Sequence, residues 1–222
     1  MKNKNFLNHI VNVNIIICIL FNVMSLTQNC ANNSTLTNKS AVSLTLEQAT
    51  NLLFQAVLDG NFNQVCTAIQ KHKANVNAVQ NNVTPLDIAS AARNMKVSHK
   101  TYTKIFTELL RAGANPNTQD ADGFSPAHWA VFYRSKEKIL ILSKYNADLS
   151  IPDKRENTPL HWAIIYNDIE TCEILIQLNA NLLAKNSTGQ TIMDAALGNR
   201  IITALCLQHN KFLQPTPPSA GY

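Results

Sequence analysis

The sequence predicts an all-α solenoid of about five helix–turn–helix units, each followed by a projecting loop. Three observations predict it. Four tetrads resemble one another: Thr84-Pro85-Leu86-Asp87, Ser125-Pro126-Ala127-His128, Thr158-Pro159-Leu160-His161 and Thr191-Ile192-Met193-Asp194. Their second residues lie 41, 33 and 33 apart. A second series keeps step with them: Lys73-Ala74-Asn75, Gly113-Ala114-Asn115, Asn146-Ala147-Asp148 and Asn179-Ala180-Asn181, with alanines 40, 33 and 33 apart. Between the two series lie apolar runs with helical spacing: Ile105-Phe106-Leu109-Leu110, Ile139-Leu140-Leu142 and Cys172-Ile174-Leu175-Ile176. Val65-Cys66-Ala68-Ile69 precedes them in an earlier unit. Motifs that recur in register mark supersecondary units that bury their apolar faces only by stacking.

The local chemistry of each element fits this reading. Thr or Ser before Pro opens a first helix. The hydroxyl caps free N–H groups, and Pro at the first helical position forfeits no hydrogen bond. The apolar run forms the second helix, and a turn needing positive φ follows it. Gly113 suits that turn, and Asn146 and Asn179 are the next-best residues for a left-handed conformation. Lys73 stands in the equivalent place and departs from the pattern, which predicts a strained or differently shaped turn.

The chain outside the repeats reads differently. Residues 1–27 start with Lys2 and Lys4 and continue as an apolar stretch from Ile10 to Leu26, the layout of an export signal. An uncleaved anchor is the alternative, although Asn12, Asn14 and Asn22 make so short a stretch marginal for crossing a bilayer. A buried core helix and lipid modification at Cys30 are further readings. Residues 28–44 are a polar Asn/Ser/Thr spacer, and 214–222 form a Pro-rich tail expected to be disordered. Composition agrees with a folded chain. Hydrophobic residues make up 45% and charged residues 15%, while Asn supplies 28 of the 222 positions. The abundance of Asn, Ile and Lys suggests an AT-rich genome, such as a bacterium's.

Thr-Pro-Leu-His-Trp-Ala at 158–163 and Ser-Pro-Ala-His-Trp-Ala at 125–130 resemble the opening motif of the ankyrin-repeat family, whose repeat is 33 residues long. The resemblance spans the proposed domain, 45–213, with units near 49–82, 83–122, 123–155, 156–188 and 189–213. The first unit lacks the Thr-Pro signature, and the fifth is degenerate. The resemblance implies β-hairpin-like loops and motif histidines, His128 and His161, that bond locally. It also implies a protein-binding role, without catalysis or cofactor. The second unit carries about eight extra residues within Ala92–Lys104. Arg93, Lys96, His99, Lys100 and Lys104 make this insert basic. It reads either as a solvated loop or helix extension, or as a contact for an acidic partner.

Catalytic and metal signatures are missing from the sequence. It holds no Gly-rich phosphate loop, Gly-x-Ser-x-Gly, His-Glu-x-x-His or Cys-x-x-Cys. Cys66 and Cys172 fall on an apolar position of the second helices and read as small buried hydrophobes. Asp120 with Asp122, and Asp153 with Glu156, are imaginable carboxylate pairs, but they read as exposed loop tips. The net charge is +5 without a run of like charges, and Tyr102 is the insert's sole aromatic, so no nucleic-acid partner is expected.

A protein partner is expected instead, captured by a monomer that meets a membrane only through its N-terminal segment. The resemblance implies contacts from loop tips and from the exposed ends of the first helices. Phe132, Tyr133, Ile165 and Tyr166 then form an apolar centre on units three and four. Asp120, Asp122 and Phe124, and Lys154, Arg155 and Asn157, form the flanking tips. Trp129 and Trp162 read as packing between units. Two functional readings follow: an exported binding module, or a membrane-tethered accessory subunit that assists or shields a periplasmic enzyme.

Overall fold

The computed structural model describes residues 44–91 and 98–213. Among them are ten helices in five pairs. The first pair is α1 (Leu46–Leu58) and α2 (Phe62–Gln70), and the second is α3 (Pro85–Ala91) and α4 (His99–Arg111). The third is α5 (Pro126–Phe132) and α6 (Lys136–Lys144), and the fourth is α7 (Pro159–Ile165) and α8 (Ile169–Gln177). The fifth is α9 (Ile192–Ala196) and α10 (Arg200–Leu213). First helices stack on first helices in chain order, as α1, α3, α5, α7 and α9. Second helices form a parallel row, as α2, α4, α6, α8 and α10. The core lies between the rows. Ala56, Ala89, Ala130, Ala163 and Ala196 fill one repeated position at the ends of the first helices, each wholly buried. Alanine there lets neighbouring helices approach closely. The expected export signal, the spacer as far as residue 43, insert residues 92–97 and the tail from 214 lie outside the described residues.

Each first-helix start is closed by side chains. Thr84, Ser125, Thr158 and Thr191 all precede their helices, and the residue three positions on returns the bond to the cap backbone. The first unit uses the same device with Thr45 and Gln48. Its helix therefore starts at Leu46, three residues before the start near Ala49 that the repeat spacing suggests. The capping box replaces the Thr-Pro signature.

The turns after the second helices share one conformation. Lys73, Gly113, Asn146 and Asn179 all have positive φ, at 56°, 90°, 55° and 60°. The Lys73 turn thus has the common shape, with lysine held left-handed where Gly or Asn is easier. Beyond each turn runs a ladder of loop bonds, the first within unit one and the next three between units. Asn75 N–H donates to Thr50 Oγ1 (3.1 Å), and Asn115 N–H to Asn77 Oδ1 (2.7 Å). Asp148 N–H donates to Asn117 Oδ1 (2.9 Å), and Asn181 N–H to Ser150 Oγ (2.9 Å). The asparagines of the second sequence series are joints between units.

The projecting loops form hairpin-like tips. Backbone bonds close them, from Asp120 N–H to Phe124 O, Asp153 N–H to Asn157 O and Asn186 N–H to Gln190 O. Neighbouring tips are tied by Lys154 N–H to Asp122 O and Ser187 N–H to Arg155 O. Gly123 is required where two tips meet. Its φ is +82°, and a Cβ there would fall 2.8 Å from the Lys154 backbone nitrogen.

Two expectations need correction. Cys172 is wholly buried, but Cys66 is only half-buried, near Glu108 and Arg111 at the end of α4. The basic insert does not remain one segment either. His99, Lys100 and Lys104 belong to α4, capped by Ser98, and Tyr102 is buried with its hydroxyl donating to Leu58 O.

Candidate functional site

The expected contact residues sit on α5 and α7 and on the loop tips before them. Tandem spacing puts equivalent residues of adjacent units side by side, so a pattern written twice becomes one surface. Phe132 and Tyr133 end α5, and Ile165 and Tyr166 end α7. The rings join two by two. Trp129 stacks on Tyr133 with centroids 6.2 Å apart, and Trp162 stacks on Tyr166 at 5.5 Å. Phe132 bridges these pairs edge-on, 5.0 Å from Tyr133 and 5.8 Å from Tyr166. Phe124 bridges the other end, 5.4 Å from Trp129 and 5.6 Å from Trp162. Six aromatic side chains thus form a closed circuit across two units. Edge-to-face pairs of this kind contribute about 0.5–1.5 kcal/mol each beyond area burial.

Phe132, Tyr133 and Tyr166 are half-buried, and Ile165 is 47% exposed beside them. Burial pushes the Tyr166 hydroxyl up to about 12, so it stays protonated and neutral at physiological pH. The half-covered rings present edges and faces to solvent while their inner sides are locked. Arg134, which the sequence reading omitted, adds a cation at this edge. It has φ +52° and donates from Nη2 to Tyr166 O at 3.2 Å. Its signal was positional, since it directly follows Phe132-Tyr133.

The flanking tips divide into outward and inward residues. Asp122, Lys154 and Arg155 are exposed. Asn157 is only 8% exposed and adds no side chain to a rim. Phe124 is half-buried between two tryptophans rather than standing at a tip. The expectation that the loop carboxylates are solvated holds for Asp122 and Glu156 but fails for Asp120 and Asp153. Asp120 Oδ2 accepts the Trp129 indole N–H at 3.0 Å, and Asp153 Oδ2 accepts that of Trp162 at 2.8 Å. Their Oδ1 atoms accept two tip amides each, from Asp122 and Phe124, and from Arg155 and Asn157. Asp153 is 6% exposed. Burial pushes the Asp120 carboxyl up, with the Asp87 charge adding to it, against three hydrogen bonds from the Phe124 and Asp122 amides and the Trp129 indole. Each aspartate is a strut between its hairpin tip and the tryptophan nine residues on. That nine-residue spacing occurs twice in the sequence and was the available signal.

The motif histidines are built into the scaffold. His128 Nδ1 accepts Ser125 N–H at 3.0 Å and meets Ser125 Oγ at 2.9 Å. An acceptor Nδ1 places the proton on Nε2, which donates to Asn157 O at 3.0 Å. Burial holds the ring neutral, with its pKa down at about 4. His161 repeats the inner half, accepting Thr158 N–H at 3.1 Å, but its buried Nε2 makes no hydrogen bond. The equivalent carbonyl belongs to Gln190, at the edge of the degenerate fifth unit. Neither ring is free to transfer protons.

Among the described residues, no cluster of three or more His, Cys, Asp or Glu side chains is placed to hold a metal ion. In the same residues, no helix is long and apolar enough to cross a membrane. Comparison with known proteins gives two findings. Residues 94–186 match a family model described as ankyrin repeats in three copies. No curated protein matches the chain.

Proposed function

Because the chain is an ankyrin-repeat protein, with the family's repeats matched at residues 94–186, we propose that it is a non-catalytic module capturing a protein through the α5–α7 face. Ankyrin repeats are generally protein-interaction modules, and their domains are typically non-catalytic. One observation carries the specific reading. Phe132, Tyr133 and Tyr166 are held half-buried on two adjacent units, with exposed Ile165 and the charged side chains of Asp122, Lys154 and Arg155 around them. Rigid aromatic anchors with a charged surround are the usual plan of a protein interface. Their rotamers are already fixed by ring contacts, so little side-chain entropy is lost on binding.

In this reading the apolar stretch Ile10–Leu26 exports the protein, and the partner is met outside the cytoplasm. The apolar character of that stretch, though it is marginal in length for a bilayer, motivates a second reading, in which it is retained and tethers an accessory subunit at a membrane. Mass spectrometry of the protein from its own cells separates them. A soluble chain starting near Gln28 supports export, whereas an intact or lipid-bearing chain in the membrane fraction supports tethering.

The face itself is tested by Phe132→Ala combined with Tyr166→Ala. Partner capture should be lost while far-UV circular dichroism is unchanged. Capture that survives the double change places the interface elsewhere.

A further inference from the structure

Arg134 stands where the backbone favours a different residue. It is the middle of the turn joining α5 to α6. The same place is held by Gly60 between α1 and α2 and by Asn167 between α7 and α8. All three are left-handed, with φ of 65° at Gly60, 52° at Arg134 and 53° at Asn167. Gly and Asn adopt that conformation readily, whereas arginine gains nothing from it. The turn itself does not call for a cation.

The surroundings of Arg134 leave its charge unbalanced. The side chain is exposed, and its bond from Nη2 to Tyr166 O at 3.2 Å pins it to the end of α7 in the next unit. Among the described residues that is its one side-chain hydrogen bond, and it makes no ion pair. One bond therefore fixes a guanidinium beside the Phe132, Tyr133 and Tyr166 rings with its other donors unused. The acids nearby are engaged elsewhere. Asp168 is 7% exposed and accepts from Thr171, and Glu170 pairs with Lys136. Asn167 and Asn199, in the following turns, bond to each other at 2.5 Å. At the opposite end of the rings, Asp120 and Asp153 hold the tryptophan indoles. The exposed acids there, Asp122 and Glu156, stand with the exposed cations Lys154 and Arg155. The tips are thus balanced, and the Arg134 edge is positive.

We infer that Arg134 determines the specificity of the capture face, and that the partner presents a peptide segment with a carboxylate beside an apolar side chain. This inference rests on the α5–α7 face being the capture site. The apolar side chain lies against Phe132, Ile165 and Tyr166, and the carboxylate takes the free donors of the guanidinium. A planar guanidinium can meet a carboxylate with two parallel hydrogen bonds, which a lysine cannot reproduce. Ring edges that displace water from one side strengthen the pair.

Selection of random peptides displayed on phage tests this. The chain is the bait, and binders are depleted on the Phe132→Ala, Tyr166→Ala protein. Surviving peptides should carry Asp or Glu beside an aliphatic or aromatic residue. A synthetic copy of one should bind Arg134→Asn at least about tenfold more weakly. Exchanging its acid for the amide should cost about tenfold on the original chain and less than about twofold on Arg134→Asn, because the coupling is then already lost. Arg134→Asn places the residue of Asn167 in the same turn, so its unfolding midpoint should be equal or higher. Equal loss from the acid-to-amide exchange on both proteins overturns the inference, and that comparison stays decisive if Arg134→Asn is less stable. Selected peptides without acids overturn it and leave the face standing. Peptides that bind the doubly changed protein equally well, or a selection that yields none, remove the face and the inference together.

Discussion

Asp87 and Asp194 occupy one position in their units, cap the same kind of threonine, and titrate in opposite directions. Asp87 accepts Thr84 N–H at 2.8 Å and is 3% exposed, and burial pushes its carboxyl up. Asp194 accepts Thr191 N–H at 2.9 Å at an open end, and those threonine bonds pull its carboxyl down. Asp87 accepts the same threonine bonds and one more from Thr118 Oγ1 at 3.1 Å, yet its carboxyl is raised, so desolvation decides the sign. His128 gives this contrast a measurable consequence. Its folded pKa is near 4 and its ordinary value 6.5, so the unfolded chain takes up the proton first. The contribution is present above pH 6.5 and is lost as pH falls toward 4, by roughly 3 kcal/mol from one group. Asp87 works in the other direction, its raised pKa favouring the folded chain as pH falls. An NMR titration should find the His128 ring still neutral at pH 5, and a charged ring there would refute the assignment. The turn at Lys73 is a second residue-scale test. Its φ of 56° suits glycine, so Lys73→Gly should raise the unfolding free energy in urea by about 1 kcal/mol.

At the scale of the element, the hairpin tips and first helices are joined by the tryptophan struts. Trp162→Phe keeps most of the ring packing against Phe124 and Tyr166 but removes the donor to Asp153. A buried carboxylate oxygen then loses its partner, which should cost about 1–3 kcal/mol in denaturant unfolding. An unchanged midpoint would show that Asp153 is held by its two tip amides alone. The elements also show what was legible in the sequence. Helix positions, caps and the Phe132–Tyr166 pairing followed from a 33-residue period, because tandem spacing dictates which residues become neighbours. The direction in which a loop side chain points is not periodic information. Asp120, Phe124 and Asn157 therefore looked like tip residues, although each turns inward to satisfy a buried group. Lys138 was illegible for another reason. It is buried on α6, and its ammonium donates to Ala89 O and Ser90 O, 49 and 48 residues earlier, a separation outside the 33-residue period.

At the scale of the whole domain, stability comes from contacts between successive units, as expected for a stack in which no unit closes a core alone. The stack is not uniform along its length. Units three and four share the aromatic circuit, and Lys136 pairs with Glu170 across the same boundary. The far end is looser, with Leu197, Ile201 and Leu207 exposed on α9 and α10 and His161 Nε2 unpaired at its border. The proposed partner-binding face thus lies on two units joined by ring contacts and an ion pair, which suits a surface that must hold its shape before it is occupied.

The ladder of loop bonds also has a direction. In each rung that crosses a unit boundary the later unit supplies the backbone N–H, and the earlier one supplies a side-chain oxygen, from Asn77, Asn117 or Ser150. A chain emerging from the ribosome therefore meets each acceptor already in place, and assembly can proceed like a ratchet from one end. The next position in the series is Leu183, 78% exposed and without an acceptor. The junction of units four and five therefore has no side-chain acceptor of this kind at Leu183, and Leu183→Asn is the change that would supply one.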